Sequence, residues 1–207
     1  MLEYLSSLII QFIETTGYWG IFLLMTLESA LIPIPSEITM PFSGFLVSRG
    51  ELSFPIVVLS GAIGNLAGSL IAYGIGFYLE EHFILKLIDK YGKIVLLSKD
   101  EYLKGVHWFQ KYGNSIAFFS RLLPAVRTFI SLPAGLSEMN IWKFSIYTLL
   151  GSFIWSLFLT YIGFTLGKNW HSLEPYYRKF EYGLVALFIL AVLFYLNHKL
   201  KIVKFKS

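Results

Sequence analysis

Two apolar stretches of this chain, residues 28–48 and 116–136, contain prolines and ionisable side chains in their middle. A proline removes a backbone donor and clashes with the preceding helical turn, and the residue before it is driven away from helical geometry. Neither stretch is therefore expected to form one straight helix. The prolines expected to break or kink the helices are Pro33, Pro35, Pro124 and Pro133.

The rest of the chain is rich in apolar segments that match the thickness of a bilayer. Of the 207 residues, 56% are hydrophobic and 14% are charged, against about 25% charged in soluble domains. A spanning helix needs about 20 apolar residues. We predict one membrane domain, residues 1–207, with an N-terminal helix at 1–27, broken segments at 28–48 and 116–136, transmembrane helices at 54–79, 141–167 and 182–199, and a cytoplasmic amphipathic linker at 80–115.

Each broken segment is followed by a polar turn and a span rich in small residues, so the two halves form a degenerate repeat. Broken backbone at membrane depth is tolerated only inside protein or beside a wet cavity, which favours a re-entrant hairpin in each half. The predicted fold is an all-α integral membrane protein with an inverted repeat of re-entrant hairpin and transmembrane helix, plus additional N-terminal and C-terminal helices. The alternative is a pair of kinked spanning helices. Lysines in the linker and the tail predict that both termini are cytoplasmic.

Four ionisable side chains, Glu28, Glu37, Arg121 and Arg127, lie in the broken segments. A charge at the centre of a bilayer costs from about 3 to over 10 kcal/mol, so such side chains face a cavity or one another. Two acids and two bases could also neutralise each other as a purely structural cluster of ion pairs. Because all four lie in the broken segments rather than in the intact spans, we interpret them as a functional site.

The chemistry of these four side chains indicates an anionic ligand. Arginine binds phosphate through paired hydrogen bonds and stays charged, so Arg121 and Arg127 are predicted to bind the phosphate of a lipid. Glu28 and Glu37 are predicted to balance these charges, and Glu37 to exchange protons with a wet cavity. Serine is a favourable helix N-cap, and Ser36 is predicted to start a half-helix. The predicted accessory residues are Ser36, Asn65, Pro124 and Thr128.

Small residues recur at every fourth position along the first intact span, and such a stripe lets another helix approach closely. We interpret the stripe as a packing surface. Asn65 lies in the same span, and an amide there requires a polar partner, which we expect in the broken segments. The stripe consists of Ser60, Gly64, Gly68, Ala72 and Gly76.

The sequence argues against an enzyme, a metal site and a bound cofactor. It has no cysteine, which excludes thiolate ligands and a cysteine nucleophile. The four histidines are scattered and form no paired ligand motif, and no glycine-rich phosphate loop ends in Lys-Ser/Thr. The net charge of +4 comes mostly from lysines beside apolar segments, which indicates membrane orientation rather than nucleic-acid binding.

Two short motifs resemble the signatures of the DedA family of membrane proteins. Glu28, the run Pro33-Ile34-Pro35-Ser36-Glu37 and Gly44 resemble the first signature. The run of residues 119–127, Phe-Ser-Arg-Leu-Leu-Pro-Ala-Val-Arg, and the pair 134–135, Ala-Gly, resemble the second. Two such motifs in order, at the right separation, are specific. The pattern continues at Met139, Phe144, Gly151 and Trp155.

The resemblance covers most of the chain and implies a fold and a function. DedA-like proteins are bacterial inner-membrane proteins with paired re-entrant hairpins, and they are similar to lipid scramblases of the endoplasmic reticulum. The resemblance implies a proton-coupled flippase for undecaprenyl phosphate, a polyprenyl-phosphate carrier lipid of the cell envelope. In the family, two acids of the first hairpin and two arginines of the second are essential, and they match Glu28, Glu37, Arg121 and Arg127.

Three alternatives remain open from the sequence. The substrate could be phosphatidylethanolamine or another phospholipid, moved by a flippase or a scramblase. The chain could instead be a proton-coupled exporter of small cations. An enzyme acting on lipid phosphates is a further class, although the sequence shows no nucleophile for it. Whether the chain forms a homo-oligomer is also left open, because the small-residue stripes serve intramolecular and dimer packing equally well.

Overall fold

A computed structural model describes residues 2–32, 34–79, 99–123 and 126–167. The predicted helix at 182–199 and residues 80–98 of the predicted linker lie outside the described residues. The described residues form seven α-helices and one short 3-10 helix, without a β-strand. In chain order they are α1 (Leu2–Thr16), α2 (Tyr18–Ser29), α3 (Ser36–Ser48), α4 (Phe54–Tyr78), α5 (Lys99–Phe119), the 3-10 helix (Ser120–Leu122), α6 (Ser131–Leu136) and α7 (Ile141–Leu166).

Helices α4 and α7 are long and apolar enough to cross a membrane, with 25 and 26 residues. At about 1.5 Å per residue, either helix exceeds the roughly 30 Å of a hydrocarbon core. Pro55 lies in the first turn of α4, where a missing backbone N–H costs little. Asn140 caps α7 by accepting hydrogen bonds from the backbone N–H groups of Trp142 and Lys143. The described residues are all-α, as predicted, and these two helices are consistent with a membrane protein.

Both stretches that contain the prolines are broken, as predicted. Between α2 and α3 the backbone turns at Leu31, whose φ of 73° is unusual for a residue with a side chain. After the 3-10 helix, Leu123 is extended (φ −110°, ψ 114°), which is the geometry expected before Pro124. Two prolines do not break a helix: Pro133 lies in the first turn of α6, and α3 continues through Pro41. The prediction that Pro133 breaks or kinks the chain was therefore wrong, because the first helical turn needs no donor there.

Two helix boundaries differ from those predicted. The N-terminal segment is divided at Gly17, whose φ of 58° separates α1 from α2. Helix α2 then continues to Ser29, so that Glu28 lies in its last turn. Helix α5 extends through the boundary predicted at residue 116 and ends at Phe119. Glu28 and Glu37 therefore lie at the facing ends of α2 and α3, and Arg121 lies in the 3-10 helix that directly follows α5.

The two halves of the chain interlock through glycines that bring backbones into contact. Helix α3 of the first half packs on α7 of the second, where Gly44 lies against the carbonyl of Thr160 and Gly163 against that of Pro41. A Cβ atom at either glycine would collide with this backbone. The short helix α6 of the second half packs on α4 of the first in the same manner. Gly135 lies against the carbonyl of Tyr73, and Gly76 lies against the carbonyl of Leu132.

The stripe of small residues on α4 serves packing, as interpreted from the sequence. Gly64 lies against the carbonyl of Phe22 and Gly68 against that of Thr26, so α2 crosses α4 at backbone contact. Gly76, at the other end of the stripe, receives α6. One face of α4 therefore holds the elements that flank both breaks, and it fixes where the charged residues meet.

Candidate functional site

The first half of the site is built where α2 ends and α3 begins. Glu28, in the last turn of α2, is buried. The backbone N–H of Ser36, the first residue of α3, donates a hydrogen bond of 3.2 Å to Oε1 of Glu28. The first N–H groups of a helix have no partner within the helix, and here a carboxylate from the preceding helix supplies one. Ser36 starts α3, as predicted, and Pro35 precedes it as the N-cap residue.

Arg127 joins the two halves of the chain. It lies between the 3-10 helix and α6, and its guanidinium is 3% exposed. Its Nη2 donates to Oε1 of Glu28 and to Oγ of Ser36, and lies 3.5 Å from Oε1 of Glu37. The side chain of Glu37 is less buried, at 19% exposed. The structure thus brings three of the four predicted ionisable residues into one contact network.

Arg121 is bound differently, by neutral acceptors alone. Its Nη1 donates to Oγ of Ser69 at 2.9 Å and to the backbone carbonyl of Arg127 at 2.8 Å. Its Nη2 donates to Oγ of Ser131 at 2.8 Å and, over a long 3.4 Å, to Oγ1 of Thr148. Among the described residues no carboxylate forms an ion pair with Arg121. This arginine therefore contributes a buried positive charge while it holds the backbone of the second break.

Helix α7 places an aromatic ring against each arginine. The Cζ of Arg121 lies 5.7 Å from the ring centroid of Phe144, and that of Arg127 lies 5.3 Å from the ring centroid of Trp155. Such contacts stabilise a guanidinium by the negative face of the ring. The sequence offered no direct signal for these pairings, because aromatic residues are abundant throughout the chain.

The predicted accessory residues have different environments. Ser36 is part of the Arg127 network, and Thr128 is half-buried. Asn65 of α4 accepts a hydrogen bond from the hydroxyl of Ser29, at the end of α2. This partner lies in the first broken segment, as expected from the sequence. Pro124 lies outside the described residues.

Sequence reasoning did not identify Ser69 and Thr148, which bind Arg121. Both are buried polar residues on the facing sides of α4 and α7. The only signal that could have found them is their position within spans rich in small and polar residues. That pattern is also typical of helix packing, so it did not separate ligands of an arginine from packing residues.

Several buried polar atoms at this site have no hydrogen-bond partner among the described residues. Four of them are N–H donors, and one is an oxygen of a carboxylate. A group that satisfied most of them would be rich in acceptors. The unpartnered atoms are Oε2 of Glu28, Nδ2 of Asn65, Nε of Arg121, Nε of Arg127, Nε1 of Trp155 and Oγ of Ser156.

The four ionisable side chains of the site have no net formal charge. Two carboxylates and two guanidiniums sum to zero formal charge, but the two acids both lie beside Arg127. Arg121 therefore adds positive charge at one end of the network without an acid of its own. No group of three or more His, Cys, Asp or Glu side chains that could bind a metal ion occurs in the part of the chain that the structure describes.

Comparisons with known proteins give related sequences over the whole chain. A family model for the VTT domain matches residues 34–165. The undecaprenyl phosphate transporter A of Bacillus subtilis (strain 168) is 33% identical over 202 residues, which cover 98% of each chain. The protein of the same name from Staphylococcus aureus (strain NCTC 8325 / PS 47) is 31% identical over 191 residues, covering 92% of this chain and 94% of the relative.

A third relative carries a different kind of name. An alkaline phosphatase-like protein of Lactococcus lactis subsp. lactis (strain IL1403) is 34% identical over 200 residues, covering 94% of each chain. No solved structure matches the chain significantly. The matched residues include both broken segments and all of the elements that build the site.

Proposed function

Because the chain belongs to the VTT-domain (DedA) family, we propose that it is a flippase that moves undecaprenyl phosphate across the bacterial cytoplasmic membrane. Two relatives of known name, which match nearly the whole chain, are transporters of this lipid. The names of these relatives support a membrane transporter rather than an enzyme. The choice of lipid and the mechanism below are our proposal.

The observation that carries the proposal is the network around Arg127. One buried guanidinium contacts Glu28, Glu37 and Ser36, which come from the other half of the chain. Phosphate oxygens accept hydrogen bonds from a guanidinium in the same geometry as carboxylate oxygens. A lipid phosphate can therefore replace a carboxylate on Arg127 while its tail stays in the bilayer. Arg121 adds a second positive charge close by.

In this proposal, protonation of an acid couples movement of the lipid to the proton gradient. When Glu28 takes up a proton, it loses its charge and its ion pair with Arg127, and the guanidinium becomes available to phosphate. When the proton leaves, the carboxylate competes with phosphate and releases it. A higher proton concentration on one face of the membrane then favours loading from that face. Glu37 is the more exposed acid, which supports our proposal that it exchanges protons with a wet cavity.

The transmembrane arrangement that this mechanism needs is the one predicted from the sequence. We propose that both broken segments are re-entrant hairpins, that the halves form an inverted repeat, and that both termini are cytoplasmic. Support comes from the interruption of helix between α2 and α3 and between the 3-10 helix and α6, and from the matched crossings of α3 on α7 and α6 on α4. Backbone breaks of this kind need surrounding protein at membrane depth, which these crossings provide.

The test is transport of undecaprenyl phosphate by purified protein in proteoliposomes, with and without a pH gradient. Wild type is expected to transport the lipid faster with a gradient, and Arg127→Ala and Arg121→Ala to lose transport. Arg49→Ala is the matched control, because Arg49 is exposed and forms its ion pair with Glu51, just after α3. Normal transport by Arg127→Ala would falsify the proposed mechanism.

The same vesicles separate the alternative functions. Competition by phosphatidylethanolamine would indicate a broader flippase or scramblase. Proton flux that depends on a small cation, without movement of lipid, would indicate a cation exporter. Because one relative is named for its likeness to alkaline phosphatase, release of inorganic phosphate from the lipid should be measured as well. We expect none, since the proposed activity, like that named for the two transporter relatives, moves the lipid without cleaving its phosphate.

A further inference from the structure

Trp155 combines two features that its neighbours on α7 do not share. Its ring faces the guanidinium of Arg127 at 5.3 Å, and its Nε1 is buried without a hydrogen-bond partner among the described residues. An indole N–H is a donor only, and a buried donor without a partner is costly. We propose that Trp155 determines specificity for the lipid phosphate, by donating its indole N–H to a phosphate oxygen while its ring positions Arg127. This inference rests on the proposed function.

The position of Trp155 on α7 supports contact with a headgroup. Thr148 and Gly151, two turns and one turn earlier on the same helix, contact Arg121. Ser152, between them and Trp155, is buried, and so is Ser156. The face of α7 that carries these residues therefore runs past both arginines. Trp155 lies where that face reaches Arg127.

The unpartnered atoms next to Trp155 define the chemistry of the ligand. The Nε of Arg127 also lacks a partner in the described part of the chain. Arginine and indole N–H groups are donors that cannot act as acceptors. A ligand that satisfies both must present several acceptor oxygens, as a phosphate monoester does. A small cation offers no acceptor and would be repelled by the guanidinium.

The other arginine provides an internal comparison. Arg121 also faces a ring, that of Phe144, but both of its terminal nitrogens are occupied by protein acceptors. Its ring partner has no polar group. At Arg127 the ring partner carries a donor. If the ring served packing alone, phenylalanine would serve at both positions, so the indole N–H at Trp155 indicates a role beyond packing.

The experiment observes the donor directly, in the full-length protein in detergent micelles. Farnesyl phosphate is the probe, and farnesol, which lacks the phosphate, is its control. The chain has five tryptophans, whose indole 1H–15N signals can be assigned from single substitutions to phenylalanine. We expect the signal of Trp155 to move downfield with farnesyl phosphate and to stay in place with farnesol. The signal of Trp142, which is 76% exposed on α7, should not respond to the phosphate.

Binding affinities for farnesyl phosphate complete the test. Trp155→Phe keeps an aromatic ring at this position and removes the donor, so we expect the Kd to rise about tenfold, as for one hydrogen bond to a charged group. Trp155→Leu removes the ring as well and should weaken binding further, while Trp142→Phe should bind as wild type does. Unchanged signals of the remaining four tryptophans in Trp155→Phe show that the variant is folded.

The outcomes distinguish this inference from the proposed function. If wild type binds farnesyl phosphate but the signal of Trp155 does not move, or Trp155→Phe binds equally well, the inference about Trp155 is wrong and the lipid phosphate site stands. If wild type binds farnesyl phosphate no better than farnesol, the proposed function is wrong, and the inference falls with it.

Discussion

Nη1 of Arg121 donates a hydrogen bond of 2.8 Å to the backbone carbonyl of Arg127. Arg121 thus holds the main chain at Arg127, and the side chain of Arg127 extends from there towards Glu28 and Glu37. The two arginines, which look equivalent in the sequence, have different surroundings. Arg127 meets carboxylates and a hydroxyl, whereas Arg121 meets hydroxyls and a carbonyl. This difference leads to separate expectations for their substitution.

Arg121→Lys should lose transport although it keeps the positive charge. A lysine ammonium has three donors and lacks the planar fork that reaches Ser69, Ser131 and the carbonyl of Arg127 together. We expect a loss of about 1–3 kcal/mol in unfolding free energy, from hydrogen bonds to a charged group, and a transport rate at least about tenfold lower. Equilibrium unfolding in detergent and proteoliposome transport measure these effects. Arg49→Lys, at an exposed position, is the control, and full activity in Arg121→Lys would contradict a positioning role.

Glu28→Gln should uncouple transport from the pH gradient. A glutamine can still accept a hydrogen bond from the N–H of Ser36. Like the protonated acid, it carries no charge that could pair with Arg127. Lipid movement should then be slower, because no carboxylate forms to displace the phosphate, and its rate should no longer change with the gradient. The measurement is the ratio of transport rates with and without a gradient. Glu51→Gln, at an exposed position, should keep the wild-type ratio. Coupling that survives Glu28→Gln would assign the proton to another group.

Gly76→Ala should destabilise the protein, whereas Gly74→Ala in the same helix should not. A Cβ at Gly76 would collide with the carbonyl of Leu132 in α6, while a Cβ at Gly74 would have nothing within 4 Å. We expect Gly76→Ala to cost about 1–3 kcal/mol through overpacking. Gly74→Ala should be neutral or stabilising by up to about 1 kcal/mol, since alanine favours helix. Thermal unfolding of both variants in one detergent makes the comparison, and equal stabilities would contradict the described crossing.

Tyr73→Phe should lower the stability of the protein, because it removes a hydrogen bond between α4 and the segment that follows α6. The hydroxyl of Tyr73 donates to the carbonyl of Met139 at 2.5 Å, and its removal leaves that carbonyl without this partner. The expected loss in unfolding free energy is about 1 kcal/mol. Tyr78→Phe provides the control, because Tyr78 is 84% exposed and its change should stay within about 0.5 kcal/mol. If both substitutions have the same effect, the hydrogen bond adds no stability.

The sequence alone determined where the chain breaks and which side chains carry charge into apolar surroundings. Both are local properties. A proline disturbs the helix that contains it, and an ionised group at membrane depth is unfavourable whatever its neighbours are. These arguments located Glu28, Glu37, Arg121 and Arg127 without knowledge of any contact. They failed at Pro133, because the helix there begins only two residues earlier and needs no donor from it.

Only the tertiary structure decided how those charges are paired. Arg127 and Glu28 are 99 residues apart, and Arg127 and Ser36 are 91 apart, so no periodicity within a helix relates them. Their contact depends on glycine crossings that bring α3 onto α7 and α6 onto α4. The same crossings set Trp155 against Arg127 and leave Arg121 with neutral partners. Pairing across the two halves depends on how closely backbones can approach, and that is a property of the packed fold rather than of any one segment.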